Sequence, residues 1–304
     1  MMNKKYWDLT NRPHTERKLQ IIKEYIYPWA AIIFGQWKRY HYKNFRMAYY
    51  IDCYAGRGKY HKNNIHDSIN GSPLIALECA KFFKEKYNGE VQLKCIFIEN
   101  NKKYCSDLDN FCKPFRDIVE FKIIPDDFNT KIKNILKEIG TNAALFFIDP
   151  GGIKDLDKLS LKTIVNKIGP NDILLNYICG APRVLGKVKN MILNKEINNH
   201  LYKLLDSVAC RLGSLDSIIK CMDKKDRDIF KEWAKELLND TNLKHSSTYR
   251  MARPTRNEAV YFLLFASRSP AAKKIINDIF NKKDSINYNG QIKLPYSGTN
   301  NFEL

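Results

Sequence analysis

The chain has 304 residues, of which 44% are hydrophobic and 28% are charged. These globular values exclude a disordered, collagen-like or coiled-coil protein. No apolar run reaches the roughly 18 residues that a membrane helix needs, and the polar N-terminal stretch predicts no signal peptide. We therefore expect a cytoplasmic protein. Lys and Arg number 51 against 33 Asp and Glu, a net charge of +18, which indicates an anionic partner.

The hydrophobic pattern predicts strands that alternate with helices. Apolar residues recur at spacings of 3 and 4 over residues 14–34, which predicts a first helix that Pro28 kinks. Ser72 is expected to cap the next helix, with Pro73 in its first turn. The expected strands are 47–53, 91–98, 118–124, 143–148 and 172–177, and the expected helices between them are 72–86, 101–112, 129–139 and 157–168. This alternation indicates βαβ units in a mostly parallel sheet that binds its ligand at the carboxyl ends of the strands.

The alternation stops after residue 180. Charged residues with apolar positions at helical spacing predict a helical insertion over residues 181–250. The apolar run Ala259–Phe265 predicts a returning strand, and Ile286–Leu294 a last edge strand. The expected organisation is an N-terminal helical segment, an α/β core and the insertion, over residues 1–44, 45–180 with 251–304, and 181–250.

The excess positive charge is concentrated near the N-terminus. Residues 1–62 contain 13 Lys or Arg, 4 Asp or Glu and 14 aromatic residues. Basic and aromatic residues in combination are typical of surfaces that hold phosphates and stack bases, although a solvated helix of a Lys-rich protein has the same composition. Part of this surface is expected to flank the active site; the residues in question are Trp7, Trp29, Trp37, Lys38, Arg39, Tyr40, Lys43 and Arg46.

The eight cysteines form no C-x-x-C pair, and no His pair has the spacing of zinc ligands. We expect reduced, structural cysteines and no metal site.

Acidic residues follow the first two predicted strands. Asp52 precedes a G-x-G turn at Gly56 and Gly58, where glycines allow close approach of the backbone to a ligand. Glu99 closes the second strand, at the position where a ribose diol is held in dinucleotide-binding folds. A dinucleotide fingerprint would need a third glycine at position 61, which is His61.

Acidic residues also follow the third and fourth strands. Asp126 or Asp127 could accept a hydrogen bond from an adenine amino group, or cap the following helix. Asp149 and Pro150 follow a wholly apolar strand, where a carboxylate could orient a nucleophile or hold an ammonium group. P-loop, nucleophile-elbow and clustered-His motifs are absent from the sequence. The four strand ends together are similar to the S-adenosylmethionine site of class I methyltransferases.

Longer segments resemble the three-Cys-motif partner protein family (TcmP) over about residues 14–282. The residues that carry the resemblance are His14-Thr15-x-x-Lys18, Tyr50–Tyr60 (YIDCYAGRGKY), Gly71–Leu77 (GSPLIAL), Asp172–Asn176 (DILLN) and Tyr261–Arg268 (YFLLFASR). The resemblance implies a Rossmann-like class I methyltransferase fold with helices on both faces of a twisted sheet. It also implies S-adenosyl-L-methionine as cofactor and a three-Cys-motif protein as partner.

Residue roles follow from these likenesses. Asp149, Pro150 and Asn176 would be catalytic, with Asp149 orienting the nucleophile for in-line methyl transfer. Cofactor binding is assigned to Asp52, Tyr54, Ala55, Gly56, Gly58, Glu99, Asn100, Asp126, Asp127, Phe128 and Asp149, with His14 and Lys18 at the rim. Substrate binding is assigned to Tyr60, Ser72, Arg183 and Arg268.

A departure after the fourth strand keeps other functions open. A looser similarity connects the first-strand turn to a ribosomal RNA adenine-N6 methyltransferase, but Gly151 and Gly152 stand where such enzymes carry Pro and an aromatic residue that stacks on the base. The sequence thus predicts a methyltransferase of RNA or DNA, with two alternatives. One is a non-catalytic partner of a three-Cys-motif protein, and the other is a methyltransferase of a peptide or small metabolite.

Overall fold

A computed structural model describes residues 13–41, 45–61, 68–152, 155, 157–212, 215–221, 223–252, 259–284 and 301–302. The helices are α1 Pro13–Tyr40, α2 Ser72–Lys86, α3 Lys102–Cys112, α4 Phe128–Ile139, α5 Lys158–Val165, α6 Ala181–Leu193, α7 Asn199–Leu212, α8 Leu215–Cys221, α9 Asp226–Leu238 and α10 Pro270–Asp284. The strands are β1 Met47–Asp52, β2 Lys59–His61, β3 Ser68–Asn70, β4 Gln92–Ile98, β5 Phe121–Ile124, β6 Ala143–Ile148, β7 Asn171–Ile178, β8 His245–Ala252, β9 Ala259–Ser267 and β10 Asn301–Phe302.

One sheet has the strand order β10-β8-β9-β7-β6-β1-β4-β5, and β2 and β3 pair as a separate hairpin. Strands β7, β6, β1, β4 and β5 are parallel, whereas β9 is antiparallel to both of its neighbours. The order reverses at β1, which carries β6 on one side and β4 on the other; this is the switch point of a doubly wound sheet. The expected α/β Rossmann-like fold is confirmed.

Two hydrophobic layers enclose the sheet. Strand β6 is buried along its whole length, as expected for a central parallel strand. Its side chains alternate, so Leu145 and Phe147 face the layer containing α1, α2 and α10, whereas Phe146 and Ile148 face the layer containing α4, α5 and α9. The described helices include none that is long and apolar enough to cross a membrane.

Helix α1 lies across one face of the sheet and spans about 42 Å at 1.5 Å per residue. Its buried stripe includes Ile22, Tyr25 and Trp29. Two polar contacts fix the helix: the Lys283 ammonium donates to Glu24 at 2.5 Å, and the Tyr25 hydroxyl donates to the buried Asp172 at 2.5 Å. The N-terminus of α1 lies at the carboxyl edge of the sheet and its C-terminus at the amino edge.

The structure corrects two sequence-based expectations. Residues 245–250, assigned to the helical insertion, belong to strand β8, which pairs between β9 and β10; the helices of the insertion end at Leu238. The polar sequence HSSTYRMA concealed a strand whose Ser247, Tyr249 and Met251 are buried. Ser72 is the first residue of α2, and Gly71 occupies the capping position. The predicted strand Ile286–Leu294 lies outside the described residues.

Candidate functional site

A cleft of about 510 Å³ opens at the carboxyl edge of the sheet. The lining residues come from α1, β2 and α3, from the ends or following turns of β1, β4, β5, β6 and β7, and from the start of β9. They are His14, Thr15, Lys18, Tyr54, Gly56, Tyr60, Glu99, Asn100, Tyr104, Asp127, Asp149, Pro150, Gly151, Asp155, Asn176, Ile178, Val260 and Tyr261. The volume lies in the range of small-molecule and cofactor sites.

The turn after β1 brings backbone, rather than a carboxylate, into the cleft. Gly56 and Gly58 have φ of 65° and 88°, which only glycine adopts without strain. The Gly56 amide lines the cleft and donates to Glu99 Oε2 at 2.9 Å. Gly58 packs against α3 instead, where an added Cβ would lie 2.9 Å from Leu108 Cδ1. Ala55 is buried, and its amide donates to the carbonyl of Ile98 at 2.9 Å.

Asp52 lies beneath the cleft and does not line it, contrary to expectation. It is fully buried because it shares the inward face of the central strand β1 with Tyr50. Burial, with a smaller contribution from the nearby Asp149, raises the pKa of Asp52 to about 7, although hydrogen bonds from Ser72, Tyr54 and Tyr50 oppose the rise. Asp52 therefore supports the turn from below.

Glu99, at the end of β4, holds the cleft wall with both carboxylate oxygens. Oε2 accepts from the Gly56 amide, and Oε1 accepts from the Asn101 amide at 2.8 Å. Partial burial raises its pKa, whereas the amides of Asn101, Gly56 and Asn100 oppose the shift. Each oxygen retains acceptor capacity, since a carboxylate offers about four lone-pair sites.

The structure separates Asp127 from Asp126. Asp127 lines the cleft and caps α4, since its Oδ1 accepts from the Asn129 amide at 2.8 Å. Asp126 pairs on the surface with Lys131 at 2.8 Å and is not among the cleft residues. Phe128 is buried beneath the cleft, where its ring packs against that of Tyr54 at 5.5 Å.

Asp149 and Asn176 lie side by side. Ile148 is in register with Leu175, so the next residues of both strands emerge on the same face. Asn176 Nδ2 donates to Asp149 Oδ1 at 2.7 Å, and the Lys18 ammonium contacts Oδ2. Both oxygens are thereby engaged, and the ion pair is shielded, since the side chains of Lys18 and Asp149 are only 7% and 18% exposed.

Several cleft residues were missed by sequence reasoning. Tyr261, at the start of β9, packs edge-on against His14 with ring centroids 5.6 Å apart, and its ring lies 5.5 Å from the Lys18 ammonium. Tyr104 and Asp155 also line the cleft, and the Tyr54 hydroxyl donates to the Asp155 carbonyl. The sequence could have indicated Tyr261, because the first residues of a strand antiparallel to β7 lie at the carboxyl edge of the sheet.

Three of the four assigned substrate residues lie outside the cleft. Arg268 follows the end of β9, which is antiparallel, so it lies at the amino edge and donates to the Lys167 carbonyl at 2.6 Å. Ser72 is buried and bonds to Asp52, and Arg183 is exposed on α6. Tyr60 lines the cleft.

The basic residues in the last turn of α1 and just after it are far from the cleft. Twenty residues of helix separate Lys18 from Lys38, a distance of about 30 Å. The Lys38 ammonium lies 6.0 Å from the ring of Tyr87 at the C-terminus of α2, and Arg46 donates to the Glu90 carbonyl. Both contacts are at the amino edge, so this segment does not flank the site. Trp29 is buried, and Trp37 packs partly buried against the core; Trp7 and Lys43 lie outside the described residues.

The seven cysteines that the structure describes are unpaired, and no group of three or more His, Cys, Asp or Glu side chains among the described residues could hold a metal ion.

No family model matches this sequence, and no curated protein matches it. Solved structures do. A Legionella pneumophila protein assigned to family DUF519 is 11% identical over 94% of this chain and 95% of that chain, with a TM-score of 0.46. The DszA carbon methyltransferase is 11% identical over 78% of this chain but only 50% of its own length, with a TM-score of 0.40. The SAH-bound Podospora anserina methyltransferase PaMTH1 is 12% identical over 85% and 97%, with a TM-score of 0.31. At these identities the likeness concerns the fold alone.

Proposed function

We propose that this protein is an S-adenosylmethionine-dependent methyltransferase of the TcmP type that acts on nucleic acid. One observation carries the proposal: the carboxyl ends of the parallel strands β4, β5 and β6 deliver Glu99, Asp127 and Asp149 to one cleft, which Gly56 in the turn after β1 also lines. The carboxylates that follow β4 and β5 can accept hydrogen bonds from the ribose hydroxyls and the amino group of an adenosine.

The charge of the cleft fits the same cofactor. Its lining contains four carboxylates, of Glu99, Asp127, Asp149 and Asp155, against the ammonium of Lys18. S-adenosylmethionine carries a sulfonium, an ammonium and a carboxylate, so its net positive charge is favoured in an acidic cleft. When bound, it would supply an electrophilic methyl group.

The remaining chemistry falls to residues of the chain. Lys18 and Asn176 fix the orientation of Asp149 through contacts with its two carboxylate oxygens. Asp149 would therefore act as a hydrogen-bond acceptor that orients the nucleophile, and most of the rate enhancement would come from positioning. Tyr54, Tyr60 and Tyr261 provide apolar ring surface around this point.

Asp127 and its neighbour offer a matched test of cofactor binding by calorimetric titration with S-adenosylhomocysteine. Asp127→Asn retains the helix cap, since Asn caps as well as Asp, but presents an amide donor where the adenine amino group needs an acceptor. We expect binding to weaken by roughly 1–3 kcal/mol. The control Asp126→Asn should bind like the parent. Equal affinities for all three proteins would refute the assignment of Asp127 as adenine ligand, and no binding to the parent would refute the proposed cofactor.

One observation favours a second candidate, a non-catalytic partner of a three-Cys-motif protein. Both oxygens of Asp149 are already engaged, and the exposed Gly151 follows in place of an aromatic residue. The two functions differ in turnover. A catalyst transfers radiolabelled methyl groups from S-adenosylmethionine to RNA or DNA, and Asp149→Ala abolishes the transfer. A scaffold transfers none with either substrate, even where the cofactor binds.

A further inference from the structure

The cleft is acidic inside, but one side of its mouth is basic. Arg57 and Lys59 shortly precede the cleft-lining Tyr60 in the chain, and Lys102 and Lys103 directly precede the cleft-lining Tyr104; we call these six residues the basic rim. The turn after β1, strand β2 and the first turn of α3 supply them. Because Gly56, Tyr60, Asn100 and Tyr104 all line the cleft, the rim begins where the cleft ends.

Contacts join the turn after β1 and strand β2 to helix α3, which carries the other half of the basic rim. The Arg57 guanidinium lies 5.5 Å from the ring of Tyr104, and the Lys59 ammonium lies 5.1 Å from the ring of Phe111 on α3. Arg57 also donates to Asp107 at 2.7 Å, which fixes the turn to the helix. Two separate stretches of chain are therefore held together as one patch.

Among the described residues, an acid neutralises only one of the four cations of the rim. Arg57 is paired with Asp107, but no carboxylate of the described residues lies within ion-pair distance of Lys59, Lys102 or Lys103. Lys102 and Lys103 are exposed, and they lie beside the amino end of α3, where the helix dipole adds further positive potential. The rim therefore attracts an anion. Because the rim lies outside the cleft, this anion must extend beyond the cleft.

We propose that the basic rim binds the backbone of a single-stranded nucleic acid and leads one base into the cleft. The proposal rests on the function proposed above and locates its substrate surface. Cations suit phosphates, and the partly exposed rings of Tyr60 and Tyr104 between them suit unpaired bases, which a duplex does not present. The acidic interior repels phosphate but accepts a neutral base, so the backbone stays at the rim.

Two variants with the same charge loss test this location. The rim variant carries Lys59→Ala, Lys102→Ala and Lys103→Ala; the control carries Lys38→Ala, Arg39→Ala and Arg46→Ala at the opposite edge of the sheet. Fluorescence anisotropy with labelled 20-nucleotide single-stranded RNA, and separately with DNA of the same sequence, measures binding across salt concentrations. Loss of three phosphate contacts predicts a salt slope lower by about 2, which corresponds to roughly 100-fold weaker binding at 0.1 M salt.

The control variant should bind nucleic acid within about twofold of the parent. The proposal is overturned if the rim variant binds nucleic acid as tightly as the parent, or if the control variant loses as much affinity as the rim variant. It is also overturned if the parent binds neither RNA nor DNA at low salt. A loss of affinity in the rim variant alone, for either RNA or DNA, supports the proposal. The ratio of the RNA and DNA affinities of the parent identifies the preferred nucleic acid. S-adenosylhomocysteine titrated into the rim variant should bind as it does to the parent. If S-adenosylhomocysteine does not bind the parent, the proposed function is refuted. The anisotropy measurements would still show whether the rim binds nucleic acid.

Discussion

The buried carboxyl of Asp172 should make the stability of this protein fall as the pH rises from 4 to 7. Asp172 lies at the amino end of β7, where Ser267 Oγ donates to it at 2.6 Å and the Tyr25 hydroxyl at 2.5 Å. Burial raises its pKa to about 6, an effect that these two hydrogen bonds only partly oppose. The folded state therefore binds this proton more tightly than the unfolded state.

The sign and the size follow from this difference in pKa. An acid whose pKa is raised on folding destabilises the fold once the pH exceeds the unfolded value of about 3.9, and the penalty is complete above the folded value. With a folded pKa of about 6, the penalty is small at pH 4 and reaches about 3 kcal/mol at pH 7. Between these pH values it grows by about 2 kcal/mol.

Asp172→Asn isolates this contribution. Its amide keeps the shape of the carboxyl and does not titrate, so the stability of the variant relative to the parent should rise by about 2 kcal/mol from pH 4 to pH 7. Urea denaturation at pH 4, 5, 6 and 7 measures this difference, from which the other titrating groups cancel. Asp117→Asn, at an exposed carboxyl, is the control for loss of any carboxyl. A pH-independent difference for Asp172→Asn would show that Asp172 does not titrate as argued.

Two further predictions concern packing and charge. Gly169→Ala places a Cβ 2.1 Å from the carbonyl oxygen of Thr141 at a φ of 90°, so it should destabilise the protein by more than about 3 kcal/mol. The control Gly89→Ala, at a φ of 78° with no atom within 4 Å, should destabilise it by about 1 kcal/mol. Equal losses of stability in thermal denaturation would contradict the steric argument. Lys18→Met leaves a shielded carboxylate without its cation and should destabilise by about 3 kcal/mol. Adding Asp149→Asn should recover most of that loss in a double-mutant cycle, and simple additivity of the two changes would show that the ion pair carries no coupling energy.

The sequence was sufficient where a local pattern determines local structure. Apolar runs such as Ala143–Ile148 predict central strands because a strand buried on both faces must be apolar throughout. Alternation with helices then requires parallel strands, whose carboxyl ends share one edge. That geometry predicts one candidate site that contains Glu99, Asp149 and either Asp126 or Asp127.

The sequence was misleading where the position of a residue depends on the direction of a distant strand. Arg268 follows an apolar strand as Asp149 does, yet it lies at the opposite edge because β9 is antiparallel. The sequence pattern does not predict the polar strand β8, because β8 is a strand through its pairing with β9 rather than through its own composition. Neither fact is encoded in a local window of sequence.

Tertiary structure alone decided which charges face the cleft. Lys18 and Lys38 belong to one basic helix, but its length puts Lys38 at the far edge of the sheet, while Lys18 contacts Asp149, 131 positions away in sequence. The sequence by itself determined the apolar parallel strands, the helices between them and the strand ends that carry acids, because hydrophobic periodicity is a local property. The pairing of acids with cations, the burial of Asp52 and the location of the basic rim depend on how α1, β9 and α3 pack, and packing depends on contacts between residues that are distant along the chain.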